Sequence, residues 1–367
     1  VSAILARYVA RLYLLFFVGA LWGAVTIFLV GDLGDRWELF LGKAARDVLD
    51  LFVNKAAVLV HQLTPVAMLL AAGATVSTLR KRGEWLGMQA LGVSRWAVLV
   101  PVCGCAAFVS GAAMAWGEFV VTRAGPRVDR LMVQKFGLWG DYRFYYFPQS
   151  WFRVGDHLIN VRGETDPAGV MHDVTVLELD QSFRLVARYD AQEFASLGGD
   201  RWRLGGVTGW RFSGDGVALE RAAGALDLCL AGTTPSTFQL RVGRPEQMRL
   251  IDLLRQQEVR AQLGLGTERF VLATHERFAF PITGWVATVL AALLALRQER
   301  RGHLTLTLVE GLLVTVALFS LVIVGRRLAL GHHLPVEVAA WLPALMPLGA
   351  ALALWWRVDE WWAARRR

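Results

Sequence analysis

Between Arg80 and Arg95 the chain reads Arg-Lys-Arg-Gly-Glu-Trp-Leu-Gly-Met-Gln-Ala-Leu-Gly-Val-Ser-Arg, a short amphipathic stretch set between two long apolar runs. Trp85 and Met88, with Leu91 beyond them, share a face at i, i+3 spacing, and Glu84 stands at the N-terminal end. Gly92 offers a stop, and Ser94 can cap the run that follows. A short helix with an apolar ridge and an acidic end can seat in a groove of a soluble partner. It can equally lie among lipid headgroups, held by its flanking cations. The residues alone leave both readings open.

Other residues suggest binding rather than catalysis. Arg36, Arg277, Arg326 and Arg327 fall near the predicted outer ends of apolar runs, where a guanidinium suits phosphate or simply anchors a helix end at headgroups. Glu310 lies seven residues past His303, about 10 Å into a helix at roughly 1.5 Å per residue. Intramembrane carboxylates are rare and usually face a bundle interior, and Thr307 and Thr315 are possible partners. His157 and His172 stand apart with no neighbouring Cys, so metal-ligand spacing is absent. His61, Glu118, His275 and Glu276 are the only ingredients for interfacial chemistry, scattered over separate predicted helices. We assign no catalytic residue and no metal ligand. Cys103 and Cys105 sit inside an apolar run, Cys229 stands alone, and no disulfide framework follows. A Gly-x-x-x-x-Gly-Lys-Ser/Thr phosphate loop is also missing, so no nucleotide site is expected on this chain.

These residues require a membrane scaffold to position them. The chain is 55% hydrophobic and 19% charged, with a mean hydropathy of +0.40. Soluble domains average roughly 45–50% apolar and about 25% charged. The excess sits in residues 1–121 and 271–356, flanking a middle of ordinary soluble composition. A net charge of +8 would suggest nucleic acid in a soluble protein. Here the Lys and Arg residues lie between apolar runs, as membrane topology demands, and no nucleic-acid partner is expected. Six runs reach the roughly 20 apolar residues a membrane helix needs: Leu12–Gly31, Ala56–Leu79, Trp96–Val121, Phe278–Leu296, Leu304–Gly325 and Val338–Trp356. The first is longer than the ~7–15-residue core of a signal peptide and reads as a retained span. Pro65, Pro343 and Pro347 should loosen their helices. Ala71 to Ala74 in the second run, and Gly104 and Gly111 to Ala113 in the third, should allow close helix contact.

Short-loop cations set the orientation. Arg7, Arg11, Arg80, Lys81, Arg82, Arg95, Arg297, Arg300, Arg301, Arg357 and Arg365 to Arg367 fall on one side. On the other side, Lys43, Arg46 and Lys55 are diluted by Asp32, Asp35, Glu38, Asp47 and Asp50, with Arg326 and Arg327 against the trend. Both termini are therefore expected in the cytoplasm.

From Tyr142 to Arg241 the pattern turns to period two. Val174, Val176 and Glu178 alternate with Thr175, Leu177 and Leu179, and Phe183, Leu185 and Ala187 continue it. Turn signals at Asp166-Pro167, Gly198-Gly199-Asp200 and Ser213 to Gly216 space short strands as in an all-β jelly-roll-like domain. Trp202, Trp210 and Phe212 offer bulk for its core. Pro245 to Leu263 returns to helical spacing, with Met248, Ile251, Leu254 and Val259 as the apolar stripe. The expected fold is an α-helical membrane protein of six transmembrane helices with an inserted extracytoplasmic all-β domain. Spans 1–3 and the short helix at about 82–92 occupy 1–121, the β domain 122–244, a connecting helix 245–270, and spans 4–6 with the tail 271–367.

Glu84, Met88, Gln89, Ala90, Gly92 and Arg95, with the basic residues before them, resemble the coupling-helix motif of the LptF/LptG family of lipopolysaccharide-export permeases. The run His275 to Pro281 resembles that family's entry into its fourth span, and Trp202-Arg203-Leu204 and Gly169 to Leu179 resemble strands of its jelly roll. The resemblance implies a permease subunit of an ABC transporter in the bacterial inner membrane. Its partners would be a cytoplasmic ABC ATPase dimer, a second LptF/LptG-type permease and a single-span jelly-roll protein. Lipopolysaccharide would be taken from the outer leaflet and passed to a periplasmic β-jelly-roll bridge. By position, Glu84 would be the acidic contact to the ATPase, with Trp85, Met88, Gln89, Gly92 and Arg95 around it. ATP and Mg would be bound by that ATPase, with no cofactor on this chain. The family's LptG branch carries lysines near the outer end of the first span, where Gly31 to Arg36 offers only Arg36.

Two other readings fit less well. A permease of the FtsX/MacB type has four spans and places its large domain after the first. A membrane enzyme acting on lipid would need a convergent catalytic set. If the cation bias sets topology, a cysteine in place of Asp200 should react with an impermeant thiol reagent in intact spheroplasts, above the level of the unsubstituted chain. Reaction only after membrane rupture would reverse the orientation.

Overall fold

The computed structural model describes residues 3–137, 150–162, 169–180, 182–213, 216–220, 224–234, 237–238, 244–262, 264–297 and 304–365. The turn at Asp166-Pro167, the tip at Gly214-Asp215 and the cations Arg300, Arg301, Arg366 and Arg367 lie outside them. The chain forms two compact units: Val1–Phe136 with Pro245–Leu253 and Glu268–Arg367, and Gly137–Arg244 with Leu254–Thr267.

The first unit is helical. Its elements are α1 (Ala3–Asp35), α2 (Trp37–Phe40), α3 (Ala45–Lys81), α4 (Glu84–Ala90), α5 (Trp96–Trp116), a π turn (Gly117–Val121) and α6 (Thr122–Gln134). After the β region come α7 (Leu250–Gln262), which from Leu254 on belongs to the second unit, and then α8 (Glu268–Arg297), α9 (Leu304–Leu330) and α10 (Val336–Arg365). Among the described residues six helices are long and apolar enough to cross a membrane. They begin earlier or run longer than the apolar runs. The third continues through the π turn to Gln134, so residues 122–134, expected to open the β domain, are helical. An apolar count stops at Val121 because Arg123, Arg127, Asp129 and Arg130 follow. Helix continues because Val128, Leu131, Met132 and Val133 are buried on one face.

α8 is the hub, with 67% of its most apolar stretch buried against 6% for α1 and 17% for α9. Ala287, Ala291, Ala292 and Ala295 place its backbone against the core built by Met68, Leu69, Leu79, Val98 and Val102. Gly284 makes room for Met68, whose Sδ lies 3.1 Å from where a Cβ would stand. Ala71, Ala72 and Ala74 are buried as expected, and a Cβ at Gly73 would collide with Thr307. Gly104 and Gly111 are different: a Cβ at either would meet nothing within 4 Å outside its own helix backbone. They share the outward face of α5, whose buried small residues are Ala106 and Ala113 instead.

The second unit is antiparallel β: β1 (Ser150–Val154), β2 (His157–Val161), β3 (Met171–Leu179), β4 (Leu185–Gly198), β5 (Arg201–Gly205), β6 (Thr208–Ser213), β7 (Gly216–Glu220) and β8 (Ala225–Cys229). Strand order is β1-β2-β3-β4-β5-β8, with β6 pairing β4 and β7. The 14-residue β4 shares its second edge between β6, at Ala187 to Asp190, and β5, at Glu193 to Gly198. Alternation puts Val174, Val176, Ala187, Tyr189 and Ala191 inside one core with Ile159, Phe194 and Trp202. Trp202 is fully buried, stacks on Phe194 at 4.6 Å and donates its indole N–H to Thr233 Oγ1 at 2.8 Å. Trp210 and Phe212 do not join that core. Both are half-buried, and Trp210 receives the Arg188 guanidinium on its face at 5.4 Å. Phe183 leaves the alternation altogether: it has a positive φ of 59° in the turn before β4 and is 64% exposed. Arg203 hydrogen-bonds Asp227, holding that carboxyl below the ordinary carboxylate range. This contribution is present above the ordinary Asp pKa and lost as pH falls, and it is small because the pair is exposed.

α7 also departs from its sequence reading. Ile251 is 78% and Leu254 51% exposed, whereas Leu253, Gln256 and Val259 are buried. Pro245 begins a 3-10 turn (Pro245–Gln247) rather than the helix, which starts five residues later at Leu250. Leu253 then packs against Phe270 and Ala273.

Trp202→Ala should cost the β unit about 3–5 kcal/mol, and Trp202→Phe, which loses the bond to Thr233 and part of the buried ring volume but keeps an aromatic in place, less, about 1–3 kcal/mol. The urea midpoint of the full-length protein in detergent, followed by protease sensitivity within 150–230, checks this. Equal midpoints for both variants and the parent would contradict a core centred on Trp202.

Candidate functional site

The segment that opens the sequence reading folds as α4. Gly83 precedes it at φ +74°, and Gly92 follows at φ +72°, conformations that cost a Cβ-bearing residue energy. The Gly92 and Val93 N–H groups return to the Gln89 and Met88 carbonyls at 3.0 and 2.9 Å, the double closure of a Schellman cap. Trp85 is buried in the helical core, and Met88 packs against that core. The ridge read at Trp85 and Met88 thus faces the chain's own spans. Leu86 (61%) and Leu91 (84%) are exposed in its place. Glu84 is held from α1: the Tyr8 hydroxyl meets its carboxylate oxygens at 2.8 and 3.1 Å. Arg82 lies 3.9 Å from the same carboxylate. Gln89 is half-buried, and the Arg95 guanidinium sits 4.5 Å over the Trp355 ring.

At the opposite end of the bundle lies a cluster built from residues far apart in sequence, of which Glu276 and Arg277 belong to the run His275 to Pro281. Glu118, on the π turn, accepts the Leu250 N–H at 3.0 Å and an Arg277 N–H. The other terminal nitrogen of Arg277 donates to the carbonyls of Met248 and Glu246. Arg326 makes a two-armed pair with Glu276, both bonds 2.6 Å, and stands 3.8 Å from Glu246. His61 lies against the backbone of Gly117, where a Cβ would come within 2.9 Å of its ring, and 4.8 Å from the Phe280 ring. His61, Glu118 and Glu276, scattered in sequence, therefore meet at one end, with each carboxylate taken by an arginine. That leaves no carboxylate set free for acid–base chemistry.

The model of the family described as "Lipopolysaccharide export system permease LptF/LptG" matches residues 7–357. The chain belongs to the LptF/LptG family. Permeases of this family are transporter components for lipopolysaccharide export, and this member is a multi-pass inner-membrane protein. No curated protein matches the sequence closely enough to compare.

Within this LptF/LptG chain the four arginines separate. Arg277 is 12% exposed and fully engaged. Arg326 is chelated by Glu276. Arg36 lies 3.7 Å from Asp32, which also takes Lys55. Arg327 is exposed and has no partner among the described residues. Glu310 is half-buried on α9, one turn from Thr307, whose hydroxyl meets Ser77 at 2.6 Å. Beside the Glu276–Arg326 pair is a cavity of about 100 Å³ lined by Gln62, Pro65, Phe280, Phe319 and Pro343 among others. The sequence signal for the paired arginines was the presence of Glu118 and Glu276 at predicted span ends. Charges there persist when they pair.

Tyr8→Phe keeps the ring and removes the bond to Glu84, a loss of about 1–2 kcal/mol at a half-exposed carboxylate. Amide exchange in α4 should quicken several-fold while that in α8 stays unchanged. Unaltered exchange at residues 84–91 would show that Trp85 alone holds the helix.

Proposed function

We propose that this chain is the permease subunit that extracts lipopolysaccharide from the outer leaflet of the inner membrane and passes it to a periplasmic β-jelly-roll bridge. ATP and Mg are bound by a separate cytoplasmic ABC ATPase dimer. A second LptF/LptG-type permease and a single-span jelly-roll protein complete the assembly. Both termini and α4 lie on the cytoplasmic side, and the β unit is periplasmic.

The observation that carries this reading is the build of α4. It is a seven-residue helix closed by glycines at both ends, bolted to the bundle through Trp85 and Met88, and presenting Leu86 and Leu91 outward. A short rigid helix with an apolar outer face suits helix-in-groove docking. Family membership supplies the partner class. The ATPase therefore meets Leu86, Gly87, Ala90 and Leu91, with Glu84 at the edge and Gln89, Gly92 and Arg95 as supports. On the lipid side, Arg277 and Arg326 are each hydrogen-bonded to a carboxylate of this chain. Contact with lipid phosphate falls instead to Arg327, then Arg36.

Leu91→Asp should weaken ATPase association by roughly 10–100-fold, the scale of one buried leucine at an interface, in detergent co-purification. Glu84→Ala should abolish lipid export in cells while the chain still inserts. Export and association both at the parental level in these two variants would remove α4 as the coupling element. For the lipid side, Arg327→Ala should lower photocrosslinking to lipopolysaccharide more than Arg36→Ala does. Equal, parental crosslinking in both would place headgroup recognition elsewhere.

A further inference from the structure

The outgoing and returning connections of the β region are tied together within the helical unit, and the tie is built from charge. α6 carries Asp129, only 6% exposed, whose carboxylate accepts the Gln247 side-chain N–H at 3.0 Å. Gly125 on the same helix lets Gln247 lie flat, since a Cβ there would come within 3.1 Å of its side chain. Glu118 accepts the N–H of Leu250, the first residue of α7, and is itself held by Arg277 on α8. Arg277 also grips the carbonyls of Met248 and Glu246, and Arg326 on α9 reaches Glu246. Segment 245–253 is thereby fixed to α5–α6, α8 and α9 by side chains that converge on Glu118 and Arg277. The π turn is what aims Glu118. An inserted residue shifts the helix face, and such turns recur at functional positions.

We propose that Glu118 is a positioning residue for transport: its carboxylate clamps the returning segment and the start of α7 to the third and fourth spans. Displacement of those spans is then delivered to the segment by which the chain returns from the β region and to the start of α7. This rests on the transport reading above. The clamp contributes nothing to nucleotide hydrolysis, because it lies at the end of the bundle opposite α4. Its loss therefore separates hydrolysis from lipid movement.

The test uses the complete complex in proteoliposomes containing lipopolysaccharide, measuring ATP hydrolysed and lipid released. Glu118→Gln keeps an acceptor for Leu250 and loses the charge that Arg277 requires. Lipid release should fall roughly tenfold or more, the scale of one charge-assisted hydrogen bond, while hydrolysis stays within about twofold of the parent on the same scale. A short bifunctional thiol crosslink between Asp129→Cys and Gln247→Cys, introduced with Glu118→Gln in a chain lacking its native cysteines, should restore release. Release at the parental level, an equal fall in release and hydrolysis, or a crosslink that restores nothing would each overturn the clamp. Should Glu118→Gln not accumulate, Gln247→Ala is read by the same ratio. A parental complex that neither hydrolyses ATP nor releases lipid would overturn the transport reading and the clamp together. Normal behaviour of parent and variant alike overturns the clamp alone.

Discussion

A guanidinium stays at the edge of an apolar bundle only where oxygen atoms of the same chain replace the water it has lost. Arg277 meets that demand with the Glu118 carboxylate and the carbonyls of Met248 and Glu246. The rest of that end follows from this requirement. Glu118 must point inward, so the third span carries a π turn there. The segment at 246–248 must bring its carbonyls to α8, which sets where α7 starts and which face it buries. Arg326 repeats the solution with Glu276 on the next helix. Such pairs add little net stability over apolar packing, and breaking one side costs about 3–5 kcal/mol, so their effect is to fix one arrangement against its neighbours.

The other end of α8 is held by the same logic with a different acceptor. Arg80 donates to the carbonyls of Ala295 and Leu296, the last turn of the helix, where unsatisfied carbonyls and the helix dipole favour a cation. Arg80 belongs to the basic run that precedes α4, so one stretch of sequence both closes α8 and leads into α4. Glu84 is held mainly by a neutral donor, the Tyr8 hydroxyl, with Arg82 at 3.9 Å. A carboxylate held by a hydroxyl keeps its charge.

Much of this was legible in the sequence. Six spans follow from apolar length, the β region from period-two alternation through Val174, Val176 and Ala187, and the end of α4 from Gly92. What failed did so for identifiable reasons. Helical spacing gives a stripe but not its direction, so Trp85 and Met88 were read as facing out when the core of α3 and α5 claims them. The α7 stripe was misplaced because Leu250 N–H is capped by a residue 132 positions away, which no local pattern reports. Aromatic size placed Trp210 in the core, yet its strand register pairs it with Arg188, whose guanidinium lies over its ring. For Arg277 and Arg326 the sequence left phosphate contact and simple anchoring of a helix end both open, because their acidic partners come from other helices.

Between Arg277 and Leu296 α8 covers about 28 Å at roughly 1.5 Å per residue, close to the thickness of the hydrocarbon core of about 30 Å. Its contacts with α3 run through Gly284 against Met68 and Pro65, with no spare volume, and close-packed interfaces of this kind shift as units rather than deform. The cavity at Pro65, Phe319 and Pro343 lies between α3 and α8 on one side and α9 and α10 on the other. Glu276 and Arg326 face each other beside that cavity. α8 is thus held near one end by acceptors on the third span and the 246–248 segment and at its last turn by Arg80, and these polar contacts at its two ends fix its register where the apolar packing between them leaves a cavity.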